Sequence, residues 1–474
     1  MTDPARTAAV VLAAGAGSRF GSDKLLAELG GRPLIDHVLA LAAGSGLAQT
    51  LVVVGPGATG IEAIGTTHGA RIVLNPRPER GLSSSVRTGL EVLAADPAER
   101  IDAALILLGD QPLTNPATVA ALLAADLPAG RSIVVPRYRG GGGANPALLL
   151  RSAWPLAADL RGDRGFGPLI RDHPELVVEV ELPGNNPDVD TTADLARIVE
   201  AAWSKRVEAN RAQVERIREV PDGGDFYAPV RSLFRADPTR TDDPVLAVLL
   251  EQVQAGDRWL DVGAGAGRFA LPIARALDPS DGEVVALDPS PSMLASLGEI
   301  AREYKIRNVR TLEGRWPPAD PRDARAAQAD VVLIAHVGYD IAAIGPFVDA
   351  LEAAARRTCL AVLMDRVPAS AADPFWPPVH GEARESLPAL PEFLELLRAR
   401  GRPVRVRIVP NEGRRFDSRA SLAGFVRRQL WIDPVGAKEA RFQAALDTLA
   451  VDENGGWTID GRGPAEIGIV TWSP

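Results

Sequence analysis

The 474-residue sequence predicts an α/β protein of two domains, each a mainly parallel sheet flanked by helices. Short β-branched apolar runs alternate with helix-length segments along the whole chain, the order that a layered, mainly parallel fold requires. Two of these runs break into glycine loops that open helical patterns: AAVVLAAGAGSRFGSDK from Ala8 and LDVGAGAGRFALPIARAL from Leu260. The length also exceeds the roughly 100–200 residues of one typical domain. We place the boundary near residue 203, giving domains 1–203 and 204–474.

In the first half, strand-like runs fall at Ala8–Leu12, Leu51–Val54, Ala70–Leu74, Ala103–Leu108, Ser132–Val135 and Leu176–Val180. Ligands of such sheets sit beyond the carboxyl ends of the strands. After the first run come Gly15, Gly17, Arg19, Gly21 and Lys24. Glycines admit a ligand close to the backbone, inward N–H groups make an anion nest, and Arg19 and Lys24 add charge for a polyphosphate. Lys24 is the single lysine among sixteen arginines in residues 1–200, an ammonium where a compact charge would meet phosphate oxygens. A plain strand-turn-helix corner is the bland alternative. The run ALILLGDQP delivers Asp110 at the exit of a buried strand, where an unpaired carboxylate is costly unless it holds a metal or a cation. RGLSSSVRTGL sets three hydroxyls, Ser83 and Ser84 among them, before a helix, suited to capping or to bonding a base or ribose. DVDTTADL closes the half with Asp188 and Asp190 at a strand end, Asp190 being a candidate second metal ligand.

From Asp194 to Glu219 the pattern is helical and charged, until PDGGDFYAP breaks it. In the second half, Asp261 ends a strand, Gly263, Gly265 and Gly267 follow, and Asp288 ends the next strand 21 residues after the last glycine. A glycine loop with an acidic strand end at that distance holds a nucleoside, the carboxylate bonding ribose hydroxyls. Spacing alone leaves NAD open. The D-x-G-x-G-x-G form and further strands at Val309–Glu313, Ala329–His336, Thr358–Asp365, Val404–Val409 and Ile467–Trp472 weigh against it.

The net charge of -9 divides evenly, with 17 basic and 22 acidic residues in 1–200 and 35 and 39 in the rest, so neither half reads as a nucleic-acid binder. The single cysteine, Cys359, excludes an internal disulfide and any multi-cysteine zinc site, and it fits a reducing cytoplasm. The weak signal-peptide pattern around Arg6 leads straight into Arg19 and Lys24, and no stretch is long enough to span a membrane.

Taken in order, LAAGAGSRFGSDK, RGLSSS, LLGDQPL, GGGANPALL, RGDRGFGPLI and DVDTTADL resemble the MobA-like nucleotidyltransferases over about residues 7–200, and within them the molybdenum cofactor cytidylyltransferases. That resemblance implies transfer of CMP from CTP to the terminal phosphate of molybdopterin, with pyrophosphate released. It implies Mg²⁺ at Asp110 and Asp190, and a triphosphate held by Arg19 and Lys24 and approached closely at Gly15 and Gly17. Ser83 and Ser84 would lie on the cytidine side, while Ala13 and Ala14 match the cytidylyl LAAG rather than the guanylyl LAGG. Its implied partners are molybdopterin or the molybdenum cofactor and a molybdenum hydroxylase apoenzyme, with no nucleic acid and no membrane. Departures fall at Phe20, Ala144 with Asn145, and Arg164 with Phe166, on the pterin side of the motifs. A guanylyltransferase, another acceptor, and a non-catalytic carrier and sensor module are the alternatives.

Residues 205–474 resemble class I S-adenosylmethionine-dependent methyltransferases, through Asp261, Gly263, Gly265, Gly267 and Asp288. That implies a seven-stranded sheet whose last strand, EIGIVTWS, runs antiparallel, and an adenine contact near Glu313 and Trp316. The methyl acceptor is not legible: IAHVGYD lacks the N-P-P-Y and D-P-P-Y motifs, and no Pro-Cys pair occurs. His336 and Tyr339 are general-base candidates, Cys359 reads as packing, and Arg414, Arg415, Arg427 and Arg428 read as a solvated face or a site for an anionic acceptor.

Overall fold

The computed structural model describes the chain apart from residues 16–19, 21–22, 96–99, 164–165, 221–234, 236, 412, 414, 454 and 461–464. It divides into two compact units, Met1–Ala196 and Arg197–Pro474. The expected boundary at residue 203 falls inside the helix Thr192–Ile217.

The first unit is a seven-stranded sheet of β1 (Thr7–Ala13), β2 (Gln49–Val54), β3 (Arg71–Leu74), β4 (Ala103–Leu108), β5 (Ile133–Tyr138), β6 (Ala147–Leu150) and β7 (Val177–Leu182). The spatial order is β3-β2-β1-β4-β6-β5-β7, and β6 alone runs against its neighbours. β1 is buried along its whole length, as a central parallel strand covered on both faces must be. Its alternate residues serve two cores. Ala8, Val10 and Leu12 pack with Val86 and Leu90 of the helix Leu82–Ala95, while Ala9, Val11 and Ala13 pack with Ile35 and Leu39 of the helix Leu34–Gly44. Each buried valine, leucine or isoleucine among them stabilises the fold by about 1.5–3 kcal/mol. Strand order reverses between β1 and β4, which opens a crevice at their carboxyl ends. Leu12 and Leu108 are in register there, so the residues that follow them emerge side by side.

The second unit holds β8 (Arg258–Val262), β9 (Glu283–Asp288), β10 (Val309–Glu313), β11 (Ala329–Ala335), β12 (Ala355–Met364), β13 (Arg405–Asn411) and β14 (Ala465–Trp472). Their order is β10-β9-β8-β11-β12-β14-β13, with β14 alone antiparallel. Here the reversal lies between β8 and β11, placing the crevice at Asp261 and at His336. A second core in this unit gathers Phe375, Trp376, Leu422, Val426 and Phe442 from helices that carry no motif. No helix among the described residues is long and apolar enough to cross a membrane.

Candidate active sites

In the first crevice the chain brings together three of the residues singled out from the sequence. Asp110 leaves β4 after Gly109, whose N–H donates to Leu12 O at 3.0 Å; a Cβ on that glycine would lie 3.0 Å from the same oxygen, so β1 and the Asp110 turn meet closely. Lys24 heads a short turn anchored by the buried Leu25. Its ammonium lies 2.7 Å from Asp110 Oδ2 and 3.0 Å from Asp190 Oδ1. Burial disfavours the charged lysine, but the two carboxylates outweigh it and raise its pKa. One cation thus already reaches both oxygens, and two hard carboxylate donors are of the kind Mg²⁺ takes, its remaining positions usually being filled by phosphate and water oxygens. The residues present fit that ion.

The loops carrying these carboxylates are tied by buried amides that sequence reasoning missed. Gln111 Nε2 donates to Asp188 Oδ1 at 2.8 Å, and Asn186 Nδ2 donates to Gln111 Oε1 and Thr114 Oγ1, each at 3.1 Å. The N–H of Val189 donates to Asp110 O at 3.0 Å. Burial and the neighbouring Asp110 raise the pKa of Asp188. The Asn-Asn-Pro before DVD was the available signal, because an asparagine in a loop between strand end and acidic motif commonly bonds backbone and side chains of the next turn.

Ser83 and Ser84 lie buried at the start of the helix Leu82–Ala95. Ser84 Oγ donates to Gly81 O at 2.8 Å and accepts from Asn75 Nδ2 at 2.8 Å, so its hydroxyl is engaged within the fold. RGLSSS and RGDRGFGPLI meet, since Leu82 N donates to Asp163 Oδ1 at 3.0 Å. Ala13 and Ala14 are buried at the end of β1, and Gly15 is exposed beyond them with open space where a Cβ would stand. Gly17 and Arg19 lie outside the described residues.

In the second crevice, Gly263, Gly265 and Gly267 all take positive φ, at 76°, 53° and 84°. A Cβ on Gly263 would come within 2.3 Å of Val337 Cγ2, while at Gly265 it would meet nothing within 4 Å. Asp288 braces the loop: Oδ2 accepts from Gly265 N and Oδ1 from Ser290 N, both at 2.8 Å. Asp261 is almost wholly buried and its Oδ1 has no partner; burial, then the charge of Asp288, push its pKa up to about 7. An orphaned buried acceptor beside an open glycine cradle fits a ligand bearing hydrogen-bond donors, as S-adenosylmethionine does.

Glu313 sits opposite Asp288 in register, and Trp316 Nε1 donates to Phe347 O at 3.4 Å. His336 follows β11 in a left-handed conformation, φ 57°, with Nδ1 3.4 Å from Tyr339 Oη. Burial, reinforced by Arg268, lowers its pKa to about 4. Tyr339 Oη accepts from Met364 N at 2.8 Å. Cys359 is buried in β12, its thiol pushed up to about 12, as packing requires. Arg427 pairs with Glu439 and Arg415 with Glu453, whereas Arg414 lies outside the described residues.

A lysine-bridged carboxylate pair thus lies at one sheet crossover and an acidic glycine loop at the other. Residues 9–177 match the MobA-like NTP transferase domain and residues 260–358 match a methyltransferase domain. The chain therefore joins a region similar to MobA-like NTP transferase domains to a region similar to methyltransferase domains.

Among curated relatives, the bifunctional protein GlmU of Bordetella parapertussis is 39% identical over 166 residues, 34% of this chain. This chain spans only 31% of that relative's length. GlmU of Kineococcus radiotolerans is 30% identical over 323 residues, 66% of this chain and 59% of the relative. Among solved structures, a homologue of Mycobacterium tuberculosis Rv0371c from Mycobacterium sp. strain JC1 is 30% identical over 41% of this chain and 96% of its own, with a TM-score of 0.37. Precorrin-6y C5,15-methyltransferase of Geobacter metallireducens is 18% identical over 50% and 92%, with a TM-score of 0.29.

Proposed function

We propose that the first unit transfers CMP from CTP to the terminal phosphate of molybdopterin and releases pyrophosphate, and that the second transfers a methyl group from S-adenosylmethionine to a further acceptor. The observation that carries the first half is Lys24 held between Asp110 and Asp190 at the β1–β4 crossover. Direct attack by the pterin phosphate on the α-phosphate needs no covalent nucleophile, so the protein's task is alignment and charge neutralisation. Asp110 and Asp190 would hold Mg²⁺, which would supply positive charge to the triphosphate. Lys24 and Arg19 hold the β- and γ-phosphates and the leaving pyrophosphate. The Ala13–Ala14 pair supports cytidine as the base, through its match to the cytidylyl form of the motif.

In the second unit, Asp288 orients the glycine loop and accepts from the ribose, and Asp261 accepts from the ligand's buried donors. S-adenosylmethionine supplies the methyl group on an electrophilic sulfonium. Alignment of the acceptor carries most of such a reaction. The test is pyrophosphate release by the whole protein with Mg²⁺ and molybdenum cofactor, offering CTP, GTP and ATP in parallel. Release with CTP and its loss by at least a hundredfold in Asp110→Asn are expected. Preference for GTP overturns the base assignment alone, and silence with all three overturns the nucleotidyl acceptor.

A further inference from the structure

We infer that Lys24 is the resident counter-cation of the Asp110–Asp190 pair and must leave it when a divalent metal arrives, so that metal and triphosphate bind as a coupled pair. The inference rests on the metal reading of that pair given above. Its ground is the geometry: one ammonium, its side chain 14% exposed, contacts carboxylate oxygens from two loops at 2.7 and 3.0 Å. A divalent ion between the same oxygens would sit about 2.1 Å from each. Two cations do not fit that gap. Both discharge the same function, since Asp110 and Asp190 brought together without a cation repel each other, and Asp188 adds a third negative charge nearby.

The backbones that carry the two carboxylates are the tethered partners, although the Asp190 side chain itself is 53% exposed. Asp110 is pinned through its carbonyl by Val189 N, Asp188 through Gln111, and Asp190 N by Asp194 Oδ2. Lys24 has a flexible four-carbon stem above the anchored Leu25, so the lysine is the group that moves. Once displaced, its partly buried ammonium lacks an anion, and a triphosphate in the same crevice supplies one. Metal alone therefore binds weakly, because it gains two carboxylates while stranding a lysine. Metal with nucleotide binds tightly, because the lysine is re-paired. By linkage the metal tightens the nucleotide by the same factor.

The experiment titrates Mn²⁺, in the absence of nucleotide, into the full-length protein and follows free Mn²⁺ by electron paramagnetic resonance. Wild type, Lys24→Met, Lys24→Gln and the double variant Lys24→Met with Asp110→Asn are compared, with folding checked by circular dichroism. Either lysine variant is expected to bind Mn²⁺ at least tenfold more tightly than wild type, and the added Asp110→Asn to abolish that gain. Mn²⁺ affinity within twofold of wild type in both lysine variants overturns the inference. If both lysine variants match wild type within twofold and the single Asp110→Asn variant, titrated alongside, abolishes the binding, the metal reading stands while the lysine role falls. Tight binding that survives in the double variant places the metal elsewhere and overturns both.

Discussion

Asp110 and Asp261 occupy comparable places, each at the carboxyl end of a buried parallel strand, and their surroundings treat them oppositely. Asp110 has a lysine at 2.7 Å. Among the described residues Asp261 has no cation and its Oδ1 no partner, the charge of Asp288 lies near it, and its pKa rises from 3.8 to about 7. The folded-state pKa lies above the unfolded one, so the stabilising form is the protonated one. That contribution is complete below about pH 4 and is lost as the pH rises through about 7. Asp261→Asn is isosteric and cannot ionise, so it should raise the melting temperature of the ligand-free second unit at pH 8 by ~5 °C and leave it nearly unchanged at pH 4. Equal shifts at both pH values would remove the buried charge as the cause. The lysine's chemical type was readable from composition, since it stands alone among arginines. Its partners were not, lying 86 and 166 residues away in sequence. The serines show the converse, because hydroxyls before a helix form one pattern whether they cap the chain internally or face a ligand.

At the level of elements, the glycine loop of the second unit separates two reasons for lacking a side chain. Gly263 has φ 76° and Val337 Cγ2 within 2.3 Å of its would-be Cβ, so Gly263→Ala strains the free protein twice over. It should lose about 2–3 kcal/mol of stability by chemical denaturation. Gly265 has φ 53° and open space, so Gly265→Ala should lose only about 1 kcal/mol. Its new methyl group enters the cradle, and S-adenosylmethionine affinity by calorimetry should fall at least tenfold. Wild-type affinity in Gly265→Ala would show that the ligand lies elsewhere. The loop was legible because positive φ and close approach select glycine directly. Most strands were legible too, β4 and β10 to the residue, β4 as a continuous apolar run and both ending at a glycine. β6 was not, because four residues behind the GGGANP loop give no periodicity of their own. Nor was the helical core of Phe375, Trp376 and Phe442, whose aromatic residues come from helices far apart in sequence.

Across the whole molecule, the residues named for each proposed site come from one unit. Lys24, Asp110 and Asp190 belong to Met1–Ala196, and Asp261, Gly263, Gly265 and Asp288 belong to Arg197–Pro474. Each also rests on its own sheet with its own buried core. Local substitutions separated by that arrangement should act independently, as sites without shared partners do. Asp288→Ala removes the acceptor for Gly265 N and Ser290 N, so S-adenosylmethionine should bind ~10–100-fold more weakly while pyrophosphate release stays within twofold of wild type. Asp110→Asn should do the reverse, abolishing pyrophosphate release and leaving methyl-donor affinity within twofold. Calorimetry for the donor and a pyrophosphate assay on both variants decide the matter. A variant that impairs both activities while circular dichroism shows both units folded would mean that the two chemistries share an intermediate or a conformational equilibrium. Clean separation would make the fusion a matter of co-delivery, two catalysts held at a fixed ratio on one chain.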